Sequence, residues 1–244
     1  MTQATTTQVP EVVTRSAAAE GFLSRSRRPA RSQVDEEVTV AVEPRGKRVV
    51  EVAMVLLAMP VWLPLLGLLA LAVCLDSRGP ACFKQPRYGR DGRVFTLWKL
   101  RSMVSDADDA LPGVLASCDR KSAEWDTHAK LRRDPRLTRL GGWLRRSSLD
   151  ELPQLFNVLR GEMSLVGPRP IPLEERSRYG QAFASYARVR PGMTGLWQVS
   201  GRNELAYSQR IALDRQYLCS RTWRMEAAIL GRTVWAVWSG RGAY

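Results

Sequence analysis

The stretch that decides the fold is VAMVLLAMPVWLPLLGLLALAVCL, residues 52–75, in which no side chain carries a charge. As a straight helix these residues would be about 36 Å long, enough to cross a hydrocarbon core of about 30 Å. A helix of this length that is apolar on every side is not expected in a soluble protein. The stretch therefore predicts attachment to a membrane.

Two membrane topologies suit this stretch. A single spanning helix is the simpler one, but Pro60 and Pro64 lie near the middle, where each removes a backbone hydrogen bond. A spanning helix usually has its excess of Lys and Arg on one side. Here basic residues flank both ends: Arg45, Lys47, Arg48, Arg78, Lys84, Arg87 and Arg90. They favour a re-entrant helix that bends at Pro60 and returns to the same side, although these residues alone leave both topologies open.

The overall composition limits the kinds of fold and catalytic chemistry that the chain can have. The chain has 244 residues, with 37 Lys and Arg against 24 Asp and Glu, and a net charge of +13. Its four cysteines are far apart and His128 is its one histidine, which argues against a disulfide scaffold, a zinc ribbon and histidine-based catalysis. Any nucleophile is therefore expected to be a carboxylate. The charge would suit a nucleic-acid binder, but no recognition motif accompanies it, and we expect no nucleic-acid partner.

The segments around the apolar stretch differ in character. Residues 1–46 contain six Arg and six Asp or Glu and have no apolar periodicity, which predicts a disordered polar tail. Residues 83–88 and 94–98 flank a Gly-Arg-Asp-Gly turn and predict a short β-hairpin.

Two further segments have the pattern of amphipathic helices. After Asp134, and again from Trp223 to Trp238, apolar residues recur at helical spacing and Arg residues lie on the other faces. These two segments predict either interfacial amphipathic helices or ordinary core-facing helices.

The most informative carboxylates lie in LRRSSLDELPQLFNVLRGEMSLVGPRP, residues 144–170. Asp150 and Glu151 precede Pro153, and proline suits only the first turn of a helix, so a helix is predicted to begin near Asp150. One interpretation is structural, with Asp150 as the N-cap or with Ser148 and Glu151 as a capping box. The other is catalytic: an Asp150 carboxylate kept ionised by the helix end and nearby arginines attacks a bound phosphoryl group. Glu151 can then hold a divalent ion.

The order of motifs along residues 47–244 resembles the bacterial sugar transferase family, the polyprenyl-phosphate hexose-1-phosphate transferases. The motifs that carry the resemblance are KR (47–48), F-x-Q-x-R (83–87), KLRSM (99–103), DPRLTRLG (134–141), SLDELPQL (148–155), SLVGPRP (164–170), TGLWQVSGR (194–202) and GRGAY (240–244). The departures include Glu51, Glu162 and Glu226, which stand where the family pattern has aspartate. None of them falls on the Asp-Glu pair.

The resemblance implies an enzyme that moves a sugar-1-phosphate from a UDP-sugar to polyprenyl (undecaprenyl) phosphate and releases UMP. This is the priming step of exopolysaccharide, capsule, O-antigen or glycoconjugate synthesis. Matched residue by residue, the resemblance implies that Asp150 is the nucleophile, that it forms a covalent phosphosugar intermediate, and that Glu151 binds Mg²⁺. It implies substrate-binding roles for Lys99, Arg101, Arg145, Pro168 and Arg169.

The resemblance also implies the re-entrant topology and the fold class. We expect a mainly α protein with a short β-hairpin. A membrane-embedded re-entrant helix–break–helix (47–76) and interfacial amphipathic helices would surround a cytoplasmic catalytic domain (77–244). The expected partners are a UDP-sugar donor, a polyprenyl phosphate acceptor and the lipids of the inner membrane at its cytoplasmic face, and a homodimer is left open. A catalytically inactive membrane-bound homologue is the alternative, and the sequence does not identify the sugar.

Overall fold

The computed structural model describes residues 40–128, 131, 133–202 and 205–239. The predicted tail up to residue 39 and the GRGAY motif (240–244) lie outside the described residues. The helices are α1 (Lys47–Leu57), α2 (Met59–Asp76), α3 (Ala107–Ala116), α4 (Asp119–His128), α5 (Arg139–Ser147), α6 (Gln154–Arg160), α7 (Arg176–Tyr179), α8 (Ala182–Tyr186), α9 (Leu196–Ser200), α10 (Tyr207–Ser220) and α11 (Trp223–Ser239). The strands are β1 (Cys82–Tyr88), β2 (Val94–Leu100), β3 (Ser164–Val166), β4 (Ile171–Pro172) and β5 (Gly192–Thr194). The expected mainly helical fold is confirmed.

Two small sheets accompany the helices. β1 and β2 pair antiparallel from Cys82 opposite Leu100 to Tyr88 opposite Val94, which confirms the predicted hairpin. β4 adds to the other edge of β1, so the strand order is β2-β1-β4. β3 and β5 pair parallel, with Val166 opposite Thr194. Their carboxyl ends therefore meet at one edge, and the SLVGPRP and TGLWQVSGR motifs continue from that edge.

The apolar stretch forms two helices with a break at Ala58. The break lies two residues before Pro60, the predicted position of the bend, and Pro60 lies in the first turn of α2, where its missing N–H costs no helical bond. Across the break, Trp62 Nε1 donates a 3.0 Å hydrogen bond to the Val55 carbonyl. Within the described part of the chain, α2 is the one helix long and apolar enough to cross a membrane.

One face of α2 forms part of the main hydrophobic core. Its buried residues recur at helical spacing: Trp62, Leu66, Leu69 and Val73. They belong to the same cluster as residues from β2, α5 and α6, namely Leu97, Leu100, Leu144 and Val158. The opposite face is exposed and apolar, at Val61, Leu68, Leu71 and Leu75. α2 thus packs along the rest of the fold while it presents an apolar surface outward.

The two predicted amphipathic segments differ in how they pack. In α5, Leu144 is fully buried in the main core, so α5 is a core-facing helix. α11 buries Ile229 but leaves Val234 71%, Trp235 65% and Trp238 82% exposed. This outward apolar face of α11 has the composition of an interfacial helix.

A buried charge cluster, which we call the anchor cluster, consists of Lys47, Glu51, Tyr217 and Glu226. Lys47 Nζ donates to Glu226 Oε2 at 2.6 Å and to the Val166 carbonyl at 2.8 Å. Glu51 Oε1 accepts from Ser164 Oγ at 2.5 Å. The Tyr217 hydroxyl donates to Glu226 Oε1 at 2.7 Å. Glu51 and Glu226, two of the departures from the family pattern, thus lie in one cluster. Its hydrogen bonds connect α1 with β3, α10 and α11.

Candidate active site

Asp150 and Glu151 lie in a tight turn between α5 and α6. Ser148 ends α5 in the left-handed conformation (φ 58°), Leu149–Glu151 form a 3₁₀ turn, and α6 begins at Gln154. No side chain caps either of these two short helices. A helical segment does begin near Asp150, as the 3₁₀ turn Leu149–Glu151 that precedes α6, but the predicted capping roles are wrong. The physical reason is the conformation of Ser148, since an N-cap residue normally has extended φ and ψ angles.

Glu151 is held by two cations. Its Oε1 accepts a 2.9 Å hydrogen bond from Lys99 Nζ and a 3.1 Å hydrogen bond from Arg169 Nη2. Burial alone would raise the pKa of Glu151, but the charges and hydrogen bonds of Lys99 and Arg169 outweigh it and lower the pKa well below its ordinary value. Glu151 is therefore an anion at neutral pH, and it fixes the positions of both cations.

Asp150 is in the opposite situation. Its carboxylate is buried and accepts no hydrogen bond from the residues that the structure describes. Burial raises the pKa of Asp150 and the Glu151 charge reinforces the rise, whereas Lys99 and Arg145 oppose it. Burial is the largest of these influences on the pKa of Asp150. Nearby positive charge, rather than a helix end, is what favours the anion of Asp150.

Both carboxylates line a cavity of about 610 Å³ that is rich in positive charge. The basic residues in its wall are Arg87, Lys99, Arg101, Arg136, Arg145, Arg169 and Arg202. Arg145 Nε donates to Ser102 Oγ at 2.9 Å, and burial lowers the pKa of Arg145. Arg136 is paired with Asp134 at 2.7 Å. Apart from this pair, six basic residues accompany three carboxylates in the wall, those of Asp108, Asp150 and Glu151, and this excess of cations suits a dianionic ligand such as a diphosphate.

Two of the expected substrate-binding residues are placed differently. Arg101 lies in the cavity wall, but its guanidinium donates to the Ser77 carbonyl at 2.7 Å and to the Arg78 carbonyl, at the end of α2. This geometry is that of a side chain capping the carboxyl end of a helix. Pro168 is buried and does not line the cavity, and its carbonyl accepts a 2.8 Å hydrogen bond from Gly192 N. Pro168 shapes the turn that presents Arg169.

Two residues that line the cavity were not identified as site residues from the sequence. In the sequence Arg87 is only one of the charges that flank the apolar stretch, yet its Nη1 donates to the Pro170 carbonyl at 3.0 Å, and burial lowers its pKa to about 10. Arg202 lines the cavity with a left-handed backbone (φ 52°), an uncommon conformation that often marks functional sites. Both arginines end motifs of the family resemblance, F-x-Q-x-R and TGLWQVSGR, and that position was the available signal.

The donor set for a metal ion is small. Among the described residues, no group of three or more His, Cys, Asp or Glu side chains could hold a metal ion. Asp150 and Glu151 are adjacent carboxylates in the cavity, and Mg²⁺ often binds through one or two carboxylates together with substrate phosphates and water. The arrangement can therefore bind a diphosphate among cations and present to it a carboxylate that accepts no hydrogen bond from the described residues.

Comparison with known proteins places the chain in a family. The sequence model described as "Bacterial sugar transferase" matches residues 42–240. The undecaprenyl-phosphate galactose phosphotransferase of Salmonella typhimurium is 43% identical over 198 residues, which are 81% of this chain and 41% of that protein. Exopolysaccharide production protein ExoY of Rhizobium meliloti is 40% identical over 211 residues, 85% of this chain and 93% of that protein. The undecaprenyl-phosphate glucose phosphotransferase of Komagataeibacter xylinus is 46% identical over 171 residues, 66% of this chain and 29% of that protein.

The length of the match differs among these relatives. The chain spans about two fifths of the Salmonella typhimurium protein and almost all of ExoY. The family match includes both carboxylates and the whole basic wall of the cavity. On this ground the chain belongs to the bacterial sugar transferase family.

Proposed function

We propose that the chain transfers a sugar-1-phosphate from a UDP-sugar to undecaprenyl phosphate, releases UMP, and so primes the synthesis of an exopolysaccharide or related glycoconjugate. The observation that carries this proposal is Asp150, a buried carboxylate with no protein donor among the described residues, in a cavity with an excess of cations. The names of the relatives support the class of acceptor, since two of them are undecaprenyl-phosphate phosphotransferases.

The proposed reaction has two displacements at one phosphorus atom. Arg169, Lys99 and Arg145 bind the diphosphate of the donor, and only the arginines can make bidentate contacts. An oxygen of Asp150 attacks the sugar-linked phosphorus, and the bond from that phosphorus to UMP breaks, so UMP leaves with the electron pair. A phosphate oxygen of the lipid acceptor then attacks the same phosphorus and releases the Asp150 carboxylate. Neither step requires a proton from Asp150, which suits a cavity without a described histidine.

The residues present fit the Mg²⁺ that we propose as cofactor. Glu151 uses Oε1 for Lys99 and Arg169, and its Oε2 accepts no hydrogen bond from the described residues. That oxygen and the Asp150 carboxylate would hold the ion together with phosphate oxygens of the donor. When bound, Mg²⁺ neutralises charge on the phosphate oxygens.

We propose that α1 and α2 form a re-entrant hairpin in the inner membrane, with the cavity on the cytoplasmic side. The inner face of α2 packs on the core from Trp62 to Val73, which is unlike a helix surrounded by lipid for most of its length. The bond from Trp62 to the Val55 carbonyl satisfies a backbone group at the break, as an apolar environment requires. The exposed faces of α2 and α11 would then contact lipid.

Cysteine labelling tests this topology. Single cysteines at residues 40 and 90, in a chain whose four native cysteines are replaced, should react with a membrane-impermeant reagent from the same side. Labelling from opposite sides would establish a spanning helix instead. Pro60→Leu should shift molecules toward the spanning form, because it restores a backbone donor near the break.

A donor panel tests the proposed activity. Membranes containing the chain, incubated with undecaprenyl phosphate, Mg²⁺ and individual UDP-sugars, should release UMP and form a lipid-linked sugar with at least one donor. Release of UMP with none of the glucose, galactose and acetamido-sugar donors would favour the inactive homologue. Omission of Mg²⁺ should lower the rate strongly.

A further inference from the structure

A second part of the cavity wall is formed by the segments that follow β3 and β5. Because the strands are parallel, the turn with Arg169 and the start of α9 leave the same edge. Gly167 N donates to the Thr194 carbonyl at 2.9 Å, and a Cβ on Gly195 would lie 2.3 Å from the Gly167 oxygen. This close approach needs glycine, and it holds α9 in a fixed position relative to Arg169. In sheets with parallel strands, ligands commonly bind beyond the carboxyl ends.

Two adjacent residues of α9, Trp197 and Gln198, line the cavity and have unpaired polar atoms. Gln198 Nε2 donates to the Met193 carbonyl at 3.0 Å, which fixes the amide and leaves Oε1 free. Within the described part of the chain, buried Gln198 Oε1 and buried Trp197 Nε1 have no hydrogen-bond partner. An unpaired buried polar group costs about 1–3 kcal/mol. Such groups are normally paired, and here the partner can come from a ligand in the cavity.

The chemistry of the two atoms indicates the kind of ligand. Trp197 Nε1 can only donate and Gln198 Oε1 can only accept, so a ligand that pairs with both must offer an acceptor and a donor. Hydroxyl groups do both. Thr194 and Thr233, whose hydroxyls are 2.7 Å apart, add neutral polar groups to this part of the cavity. The Arg210 guanidinium lies 5.1 Å from the Trp197 ring centre, so this face of the indole is covered and does not stack on a nucleobase.

We propose that Trp197 and Gln198 bind hydroxyl groups of the hexose in the donor, with Trp197 donating and Gln198 accepting, and that they help to select the sugar. This inference rests on the proposed function, because the hexose is linked to the phosphorus that Asp150 attacks. Arg169, which is proposed to bind the diphosphate, and the pair on α9 line the same cavity and follow strands that end at the same edge. The TGLWQVSGR motif would then combine a hexose contact with the Arg202 cation.

Two conservative variants test the proposal. Trp197→Phe removes the donor and part of the ring, whereas Gln198→Met removes the acceptor at similar volume together with the Nε2 bond to the Met193 carbonyl. With the preferred UDP-hexose, each should lower kcat/KM by about 10- to 100-fold, and each should reduce the preference between UDP-glucose and UDP-galactose. Inhibition by UMP, which has no hexose, should stay within about twofold of the parent. Trp223→Phe and Gln181→Met, outside the cavity, are matched controls that should change neither quantity.

Each other outcome has a defined meaning. If UMP inhibition weakens by the same factor as kcat/KM, the pair contacts the nucleotide or supports the fold, and the hexose assignment is wrong. If kcat/KM and the sugar preference stay at parental values, the unpaired atoms have no role in donor binding. If one variant does not fold, as thermal unfolding with and without UMP would reveal, the other variant decides. A parent chain that uses no UDP-sugar would instead contradict the proposed function.

Discussion

The anchor cluster and the cavity cluster, which consists of Lys99, Asp150, Glu151 and Arg169, use similar residues for different purposes. Each contains a lysine and two carboxylates in a largely buried setting. In the anchor cluster each carboxylate accepts hydrogen bonds, from Ser164 to Glu51 and from Lys47 to Glu226. In the cavity cluster Glu151 is held in the same way, but Asp150 accepts no hydrogen bond from any described residue. Fully paired charges hold elements together, whereas the incompletely paired carboxylate is left available for chemistry.

The largest expected effect comes from Asp150→Asn. Removing the proposed nucleophile should lower the transfer rate by about 10⁴-fold or more. The free energy of unfolding should not fall, because no hydrogen bond to Asp150 from the described residues is lost and a partly unfavourable buried charge is removed. Rate assays and thermal unfolding of the same preparation check both. A large loss of stability would mean that Asp150 is structural, like the carboxylates of the anchor cluster.

Lys47→Met should lower the free energy of unfolding without lowering the rate per folded molecule, the reverse of Asp150→Asn. It leaves Glu226 and Glu51 buried without their cation, and breaking a buried pair in this way costs about 3–5 kcal/mol. The folded fraction should retain UMP release per molecule. Glu43→Gln is the control, since its ion pair with Arg190 at 3.9 Å is partly exposed and contributes less than about 1 kcal/mol. Unchanged stability in Lys47→Met would show that the anchor cluster holds nothing together.

Arg169→Lys tests whether the shape of the guanidinium matters in addition to its charge. Lysine keeps the charge near Glu151 but cannot bind a phosphate through two parallel donors, so kcat/KM for the donor should fall by about 10- to 100-fold. Steady-state kinetics with the preferred UDP-sugar give the value. If the variant turns over like the parent, Arg169 serves only to hold Glu151.

The smallest effect is expected for Arg101→Met. The lost hydrogen bonds to the Ser77 and Arg78 carbonyls should lower the free energy of unfolding by about 1–3 kcal/mol. The KM for the donor should stay near the parental value, because the guanidinium is used at the end of α2. A large rise in KM without loss of stability would restore the substrate-binding role that the family resemblance implies for Arg101.

The features that sequence predicted well are local or carried by long motifs. The alternating residues around Gly89–Gly92 predicted the hairpin, and SLDELPQL located Asp150 and Glu151. The failures depended on partners distant in the chain or on one backbone conformation. Ser148 in the left-handed region removed the capping box. Lys47 and Glu226 are separated by 179 positions, and the absence of a described donor to Asp150 required the packing of several elements.

The most direct test of the account is to trap the intermediate on Asp150. The chain is incubated with labelled UDP-sugar and Mg²⁺ without lipid acceptor, quenched, digested and examined by mass spectrometry. The account predicts one UMP released per active molecule and a hexose-phosphate adduct on the peptide containing Asp150. The adduct should be absent in Asp150→Asn and should disappear when undecaprenyl phosphate is added. UMP release only in the presence of the acceptor, with no adduct on Asp150, would contradict the covalent mechanism and indicate a single displacement.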